Sequence, residues 1–189
     1  METRRESSQP IRRLYGGLDS LASPDRYLFT PSDIRALVPD ISVEAFRALL
    51  SRAAKEGRLE RVCRGLYLYL PARPNSGLLL FHAAARLRAQ EFNYISLETA
   101  LSDAGIISQI PLNWITLMSS GRSSRIECGR WGTIEFVHTR QRPQDLSEQL
   151  VYDERCRLWR ASPALALRDM KVAKRNLDLI DWSAAHELV

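Results

Sequence analysis

The chain is short of several things, and each shortage excludes a class of function. It has only three cysteines, Cys63, Cys128 and Cys156, an odd number with no short metal-binding spacing between any two. A disulfide framework and a zinc knuckle are therefore not written here, and a reducing cytoplasm is the expected home. Its three histidines, His82, His138 and His186, stand far apart, and none has a Cys, His or carboxylate at ligand spacing. No apolar run approaches the roughly 18–20 residues of a membrane-spanning helix. The polar start, METRRESSQP, does not read as a signal peptide. Gly121-Arg-Ser-Ser124 lacks the Lys-Ser/Thr pair and the following helix of a phosphate loop, and no dinucleotide fingerprint occurs. Lysine is nearly missing: Lys55, Lys171 and Lys174 are the only ones among 27 basic residues.

What is present is an arginine-rich chain of 189 residues with 45% hydrophobic content, enough for a true core. The net charge of +5 favours an anionic partner. It is uneven. Residues 1–74 carry 13 of the basic and 9 of the 22 acidic side chains, a surplus of four, whereas the remainder has a surplus of one. Arginine suits bidentate contacts to phosphate and guanine, although a GC-rich genome would produce the same bias.

The stretch from Thr30 to Tyr69 carries the most organised pattern. Thr30 and Pro31 open a helix with Asp33 in its first turn, and Pro39 ends it. Ser42 caps a second helix in which Val43, Phe46, Leu49, Leu50 and Ala53 form one apolar stripe. Arg47, Ser51, Arg52 and Lys55 lie off that stripe. Gly57 closes the helix. Leu59 to Cys63 and Leu66 to Leu70 then read as two strands joined at Arg64-Gly65, with Arg58, Arg61 and Arg64 along them. Two short helices followed by a basic strand pair predict a winged helix-turn-helix, which places its second helix in the major groove. Arg47, Ser51 and Arg52 are the candidate base-reading residues. Lys55, Arg58, Arg61 and Arg64 are the candidate phosphate contacts, with Arg64 reaching towards a minor groove. The bland alternative is a solvated charged helix. Upstream, Ile11, Leu14, Leu18 and Leu21 predict a supporting helix weakened by Gly16-Gly17, and Tyr27-Leu28-Phe29 predicts a short strand pairing with the wing. Residues 1–9 read as a polar arm in which Arg4 and Arg5, with Arg12 and Arg13 beyond it, could reach phosphate.

Pro71 to Gly77 is the clearest linker, so domains are expected at 1–74 and 75–189. The second is expected to be a helix over 78–89, a short helix capped by Ser96, a small antiparallel sheet, and closing helices after Ser162-Pro163 and near Ile180. The strands expected in that sheet are 114–118, 125–128 and 133–138, with 158–161 as a further one. Residues 139–153 read as a loop. The fold class is thus α+β. Glu127 and Glu135 on neighbouring strands raise the alternative of a metal-dependent nuclease, and Arg122, Arg125, Arg130, Arg140 and Arg142 raise that of a protein–protein module with a basic surface. Neither catalytic residues nor a metal or other cofactor is written plainly, which predicts a binding protein rather than an enzyme.

Gly57, Leu59, Arg61, Val62, Arg64, Gly65 and Tyr67 fall in the pattern G-x-L-x-R-V-x-R-G-x-Y. This resembles the wing of AbiEi antitoxins of type IV toxin–antitoxin systems. Tyr94-Ile-Ser96-Leu-Glu-Thr-Ala-Leu101, Ile115-Thr-Leu117, Gly132-Thr-Ile-Glu-Phe136 and Ser162-Pro163-Ala-Leu-Ala-Leu-Arg-Asp169 are similar to later motifs in the same order, with Ala164 where a glutamate is usual. The resemblance implies a cytoplasmic DNA-binding antitoxin of an abortive-infection, phage-defence system. It implies autorepression through inverted repeats in double-stranded operator DNA, bound by two copies. It also implies opposition to a nucleotidyltransferase-fold toxin without a stable complex, the C-terminal part carrying antitoxin activity.

Overall fold

A computed structural model describes residues 9–108 and 113–188. The chain divides into two compact units, Met1–Ser76 and Gly77–Val189. The basic arm read at residues 1–9, with Arg4 and Arg5, lies outside the described residues but for Gln9.

In the first unit, α1 (Pro10–Leu21) has proline in its first turn and buries Ile11, Leu14 and Leu18. Complete burial of a leucine such as Leu14 contributes roughly 2 kcal/mol. The strand β1 (Leu28–Phe29) leads into α2 (Pro31–Leu37). Here Thr30 and Asp33 satisfy each other's backbone in a capping box: the Asp33 N–H donates to Thr30 Oγ1 (3.2 Å), and the Thr30 N–H donates to the Asp33 carboxylate (2.7 Å). α3 (Val43–Lys55) starts at Ser42, whose hydroxyl accepts from the Ala45 N–H at 3.1 Å. Arg35 locks the turn between the two helices by donating to the carbonyls of Pro39, Ile41 and Ser42. Gly57, with φ +68°, lets the chain reverse into β2 (Leu59–Cys63). Gly65, at φ +86°, turns it again into β3 (Leu66–Tyr69). The sheet order is β1-β3-β2, antiparallel throughout, with a register shift between Arg61 and Cys63. Val43 departs from expectation. It is 55% exposed, because the apolar stripe begins one turn later, and it lines an open concavity with Pro31, Pro39 and Phe46.

The second unit runs α4 (Leu79–Leu87), β4 (Asn93–Ile95), α5 (Leu97–Asp103), β5 (Trp114–Ser119), β6 (Ser124–Glu127), β7 (Thr133–His138), β8 (Leu150–Asp153), β9 (Leu158–Ala161), α6 (Pro163–Val172) and α7 (Trp182–Leu188). The small antiparallel sheet expected from the sequence is corrected to six strands in mixed order, β6-β7-β5-β4-β9-β8, with β5/β7 and β4/β9 parallel. Consecutive strands pair antiparallel as β4/β5, β6/β7 and β8/β9, and the two parallel ladders join these pairs into one sheet. The loop expected at 139–153 is also corrected. Leu146 and Leu150 are buried anchors, so the segment forms a 3-10 turn over Pro143–Gln149 and then β8.

Helices cover both faces of this sheet. Thr116 of β5 exchanges hydrogen bonds with Thr99 of α5, and α5 packs on α6. Phe136 of β7 lies under the Arg88 guanidinium at the end of α4 (3.9 Å). Thr116 is in register with Glu135, the residue before Phe136, so the two contacts fall on opposite faces. At the mouth of β7, Gly132 has φ +114°, and a side-chain carbon there would sit 1.9 Å from the Asn113 carbonyl oxygen.

Between sheet and α6 lies a buried polar knot. Asp169 is wholly buried, and its carboxylate accepts from the Tyr94 hydroxyl (3.0 Å), the Ser96 hydroxyl (2.8 Å) and the Gln141 amide (3.0 Å). Burial raises both the Asp169 and the Tyr94 pKa. Ser96, expected to cap α5, makes no capping bond. Its hydroxyl serves Asp169 instead, because an unmet buried carboxylate costs more than an open helix end.

Candidate nucleic-acid interface

With Leu49, Leu50 and Ala53 buried on one side, α3 turns the opposite side outward. Arg47, Ser51 and Lys55 are all exposed there, each four residues from the next. They form a stripe about 12 Å long at the helical rise. Among the described residues neither Arg47 nor Lys55 makes an ion pair. Beyond the helix, Arg64 sits exposed at the β2–β3 tip beside Gly65, and it likewise has no ion pair among the described residues. Arg61, also exposed, folds its Nε towards the Cys63 carbonyl (3.3 Å) across the register shift.

Arg52 and Arg58 stand differently. The Arg52 Nε donates to Glu56 at 2.7 Å. Glu56 also accepts from the Tyr15 hydroxyl at 2.5 Å. The Arg58 guanidinium lies over the rings of Tyr15 (4.8 Å) and Tyr69 (5.5 Å) and ion-pairs with Asp19 at 3.1 Å. Tyr69 closes the chain by donating to Asp19. Burial first, and then the neighbouring carboxylates, push both tyrosine hydroxyls up to about 12. The hydrogen bonds from Tyr15 and Arg52 hold the Glu56 carboxyl below its ordinary range. This string, Arg52–Glu56–Tyr15–Arg58–Asp19–Tyr69, ties the end of α3 and the root of β2 and β3 to α1. It aims the exposed stripe rather than extending it.

The seven residues singled out in the sequence thus separate by geometry. Arg47, Ser51, Lys55 and Arg64 face outward, and among the described residues their side chains have no hydrogen-bond or ion-pair partner. Arg61 is exposed but bent along its own strand. Arg52 and Arg58 are held within the unit. Sequence reasoning did not find the positioning residues Tyr15, Asp19, Arg35 and Tyr69. The partners of Tyr15, Asp19 and Tyr69 lie as far as 50 positions away, so no local pattern marks them, whereas Arg35 reaches carbonyls only four to seven residues on.

In the second unit Arg122, Arg125, Arg130, Arg140 and Arg142 are exposed on different elements. Arg125 lies over Trp114, and Arg130 over Trp131, each at 4.5 Å. The two glutamates considered for a nuclease are engaged. Glu135 is gripped by Arg175 (2.6 Å), which outweighs the effect of burial and leaves its carboxyl below the ordinary range. Glu127 accepts from the Thr133 hydroxyl (2.9 Å). The three cysteines are buried and unbridged, and burial together with Asp153 pushes the Cys156 thiol up to about 12. Among the described residues no group of three or more His, Cys, Asp or Glu is placed to hold a metal, and no helix is long and apolar enough to cross a membrane.

Residues 18–69 match the model of a family described as "Transcriptional regulator, AbiEi antitoxin". The match begins inside α1, takes in the exposed stripe of α3 and the β2–β3 tip, and ends with β3. The wing motif and the family model therefore agree on the same stretch. No curated protein matches the chain.

Proposed function

Taking residues 18–69 as the regulator domain of an AbiEi antitoxin, we propose that the first unit is a winged helix-turn-helix that binds double-stranded operator DNA and represses its own operon. We further propose that the whole chain counteracts a nucleotidyltransferase-like toxin. The observation that carries the DNA reading is the outward stripe Arg47–Ser51–Lys55 on a helix fixed at both ends. Such a helix fits the major groove of B-DNA, and arginine on its outer face is the commonest reader of guanine. Arg64, at a glycine-turned tip, suits a phosphate or the minor groove beside it. Arg52 and Arg58 act by holding the helix and wing in register. Two copies reading an inverted repeat would meet half-sites about one helical turn apart.

A gel-shift series on the DNA upstream of the reading frame tests this. Arg47→Ala should cost about 1–3 kcal/mol and relax base preference at one position, and Arg64→Ala should flatten the salt dependence by about one phosphate. Binding as tight as wild type in both variants, or affinity that does not change between low and moderate salt, overturns it. For the antitoxin half, co-expression with the neighbouring toxin gene should restore growth.

A further inference from the structure

The second unit holds a cleft that DNA binding by the first unit leaves unused. It lies between α6 and α7 and has a volume of about 310 Å³. Ala164, Leu167, Arg168 and Lys171 recur on α6 at the spacing of one helix face, and Trp182, Ala185 and His186 do so on α7. The two alanines, with only a methyl group each, leave the space between the helices unfilled. Leu167 is buried and forms the floor, while the Trp182 indole is 43% exposed although it borders a concavity. Among the described residues three basic side chains line the cleft and no carboxylate does. Two acids next to these residues in sequence are otherwise engaged. Asp169 is buried beneath α6 with its three donors, and Asp181 accepts from the N–H groups of Ser183 and Ala184 at the start of α7. Arg168 gives one N–H to Gln141 (2.7 Å) and keeps the others.

A partly exposed indole beside Arg168, Lys171 and His186 is complementary to a flat π system carrying negative charge. The volume falls at the lower end of small-ligand pockets, roughly 300–1,000 Å³. We propose that this cleft binds a single nucleotide, its base stacked on Trp182 and its phosphate held by Lys171, Arg168 and His186. The nucleotide is free or is the terminal one of a single strand, since both present the same base and phosphate.

The test uses the full chain and follows heat of binding and tryptophan quenching. The ligands are nucleoside 5′-monophosphates, the matching nucleosides, inorganic phosphate, and a 5′-phosphorylated single-stranded oligonucleotide. Monophosphates should bind and quench. Trp182→Phe should abolish the quench while thermal unfolding stays as in wild type. Lys171→Ala should weaken the monophosphate about tenfold, the loss of one charge-assisted contact, and leave the nucleoside unchanged. Tighter binding of the oligonucleotide than of the monophosphate identifies a strand end as the source, and the reverse identifies a free nucleotide. In either case Lys171→Ala leaves the operator gel shift unaltered, which separates this site from the proposed DNA interface. The proposal is overturned if monophosphates fail to bind at millimolar concentration, if inorganic phosphate binds as tightly as they do, or if the quench survives Trp182→Phe.

Discussion

The two units hold their polar groups in opposite ways. The first strings its charges around the outside: Arg52, Glu56, Arg58 and Asp19 remain partly open to water and are joined by two tyrosine rings. The second puts a carboxylate in its interior and answers it with two hydroxyls and an amide, none of them charged. The contrast teaches where each unit is sensitive. A perimeter network is screened and adjustable, so it sets the aim of an exposed helix without deciding whether the unit folds. An interior knot admits no half measures, because each unmatched donor carries its full desolvation cost.

The sharpest way to break the second unit is at its narrowest point. Gly132→Ala would drive a methyl group into the Asn113 carbonyl at a backbone angle foreign to alanine. The expected loss is about 3 kcal/mol or more, read as a fall in the denaturant midpoint. Asp169→Ala should follow at about 3 kcal/mol, since it strands the donors of Tyr94, Ser96 and Gln141. If that variant unfolds like wild type, the knot is not what holds α6 to the sheet. In the first unit, Arg58→Ala should cost only about 1–2 kcal/mol, through lost stacking on Tyr15 and Tyr69. It should also reduce operator affinity by misplacing the wing, whereas Arg47→Ala reduces affinity with no change in stability.

A pH-dependent pair sharpens the comparison within the second unit. Burial works against ionisation of Asp153, but Arg160 and the Cys156 N–H prevail and hold its carboxyl at about 2. Because that lies below the ordinary carboxylate value, the stability it contributes is complete above about pH 4 and is lost as pH falls through about 2. Partial solvent contact limits the amount to about 1 kcal/mol. Asp153→Asn should therefore be destabilising at neutral pH and nearly neutral near pH 2. The smallest effect has the opposite sign. Gly16 lies mid-helix with open space around it, so Gly16→Ala should raise the first unit's thermal midpoint, a gain of about 0.5–1 kcal/mol.

The first unit was legible because its signals are local. Thr30, Pro31 and Asp33 declare a helix start within four residues, Ser42 declares the next, and Gly57 and Gly65 stand where the backbone needs positive φ. Even the two-residue strand at Leu28–Phe29 follows from its neighbours. The second unit was legible in its pieces and not in their assembly. Its strands were found, apart from β4 and β8, but the parallel pairing of β5 with β7 and of β4 with β9 joins segments whose order along the chain does not indicate adjacency. Ser96 looked like a cap because position 169, its real partner, is 73 residues away. The same blindness affected the interface. A basic residue on an outer helix face or strand looks equally available at Arg47 and at Arg58, and only a folded Asp19 and two rings distinguish them.

The string from Arg52 to Tyr69 also bears on how this unit would diverge among relatives if it is the proposed regulator. Positions 15, 19, 56, 58 and 69 are joined through shared hydrogen bonds and ring contacts, so a change at one strands the others. Among relatives these five should drift together or not at all. Among the described residues the side chains at positions 47, 51 and 64 make no hydrogen bond or ion pair, and on the proposed reading they are at liberty to follow the DNA they would face. A lineage could thus acquire a new operator by rewriting three codons while the mount that points them stays as inherited.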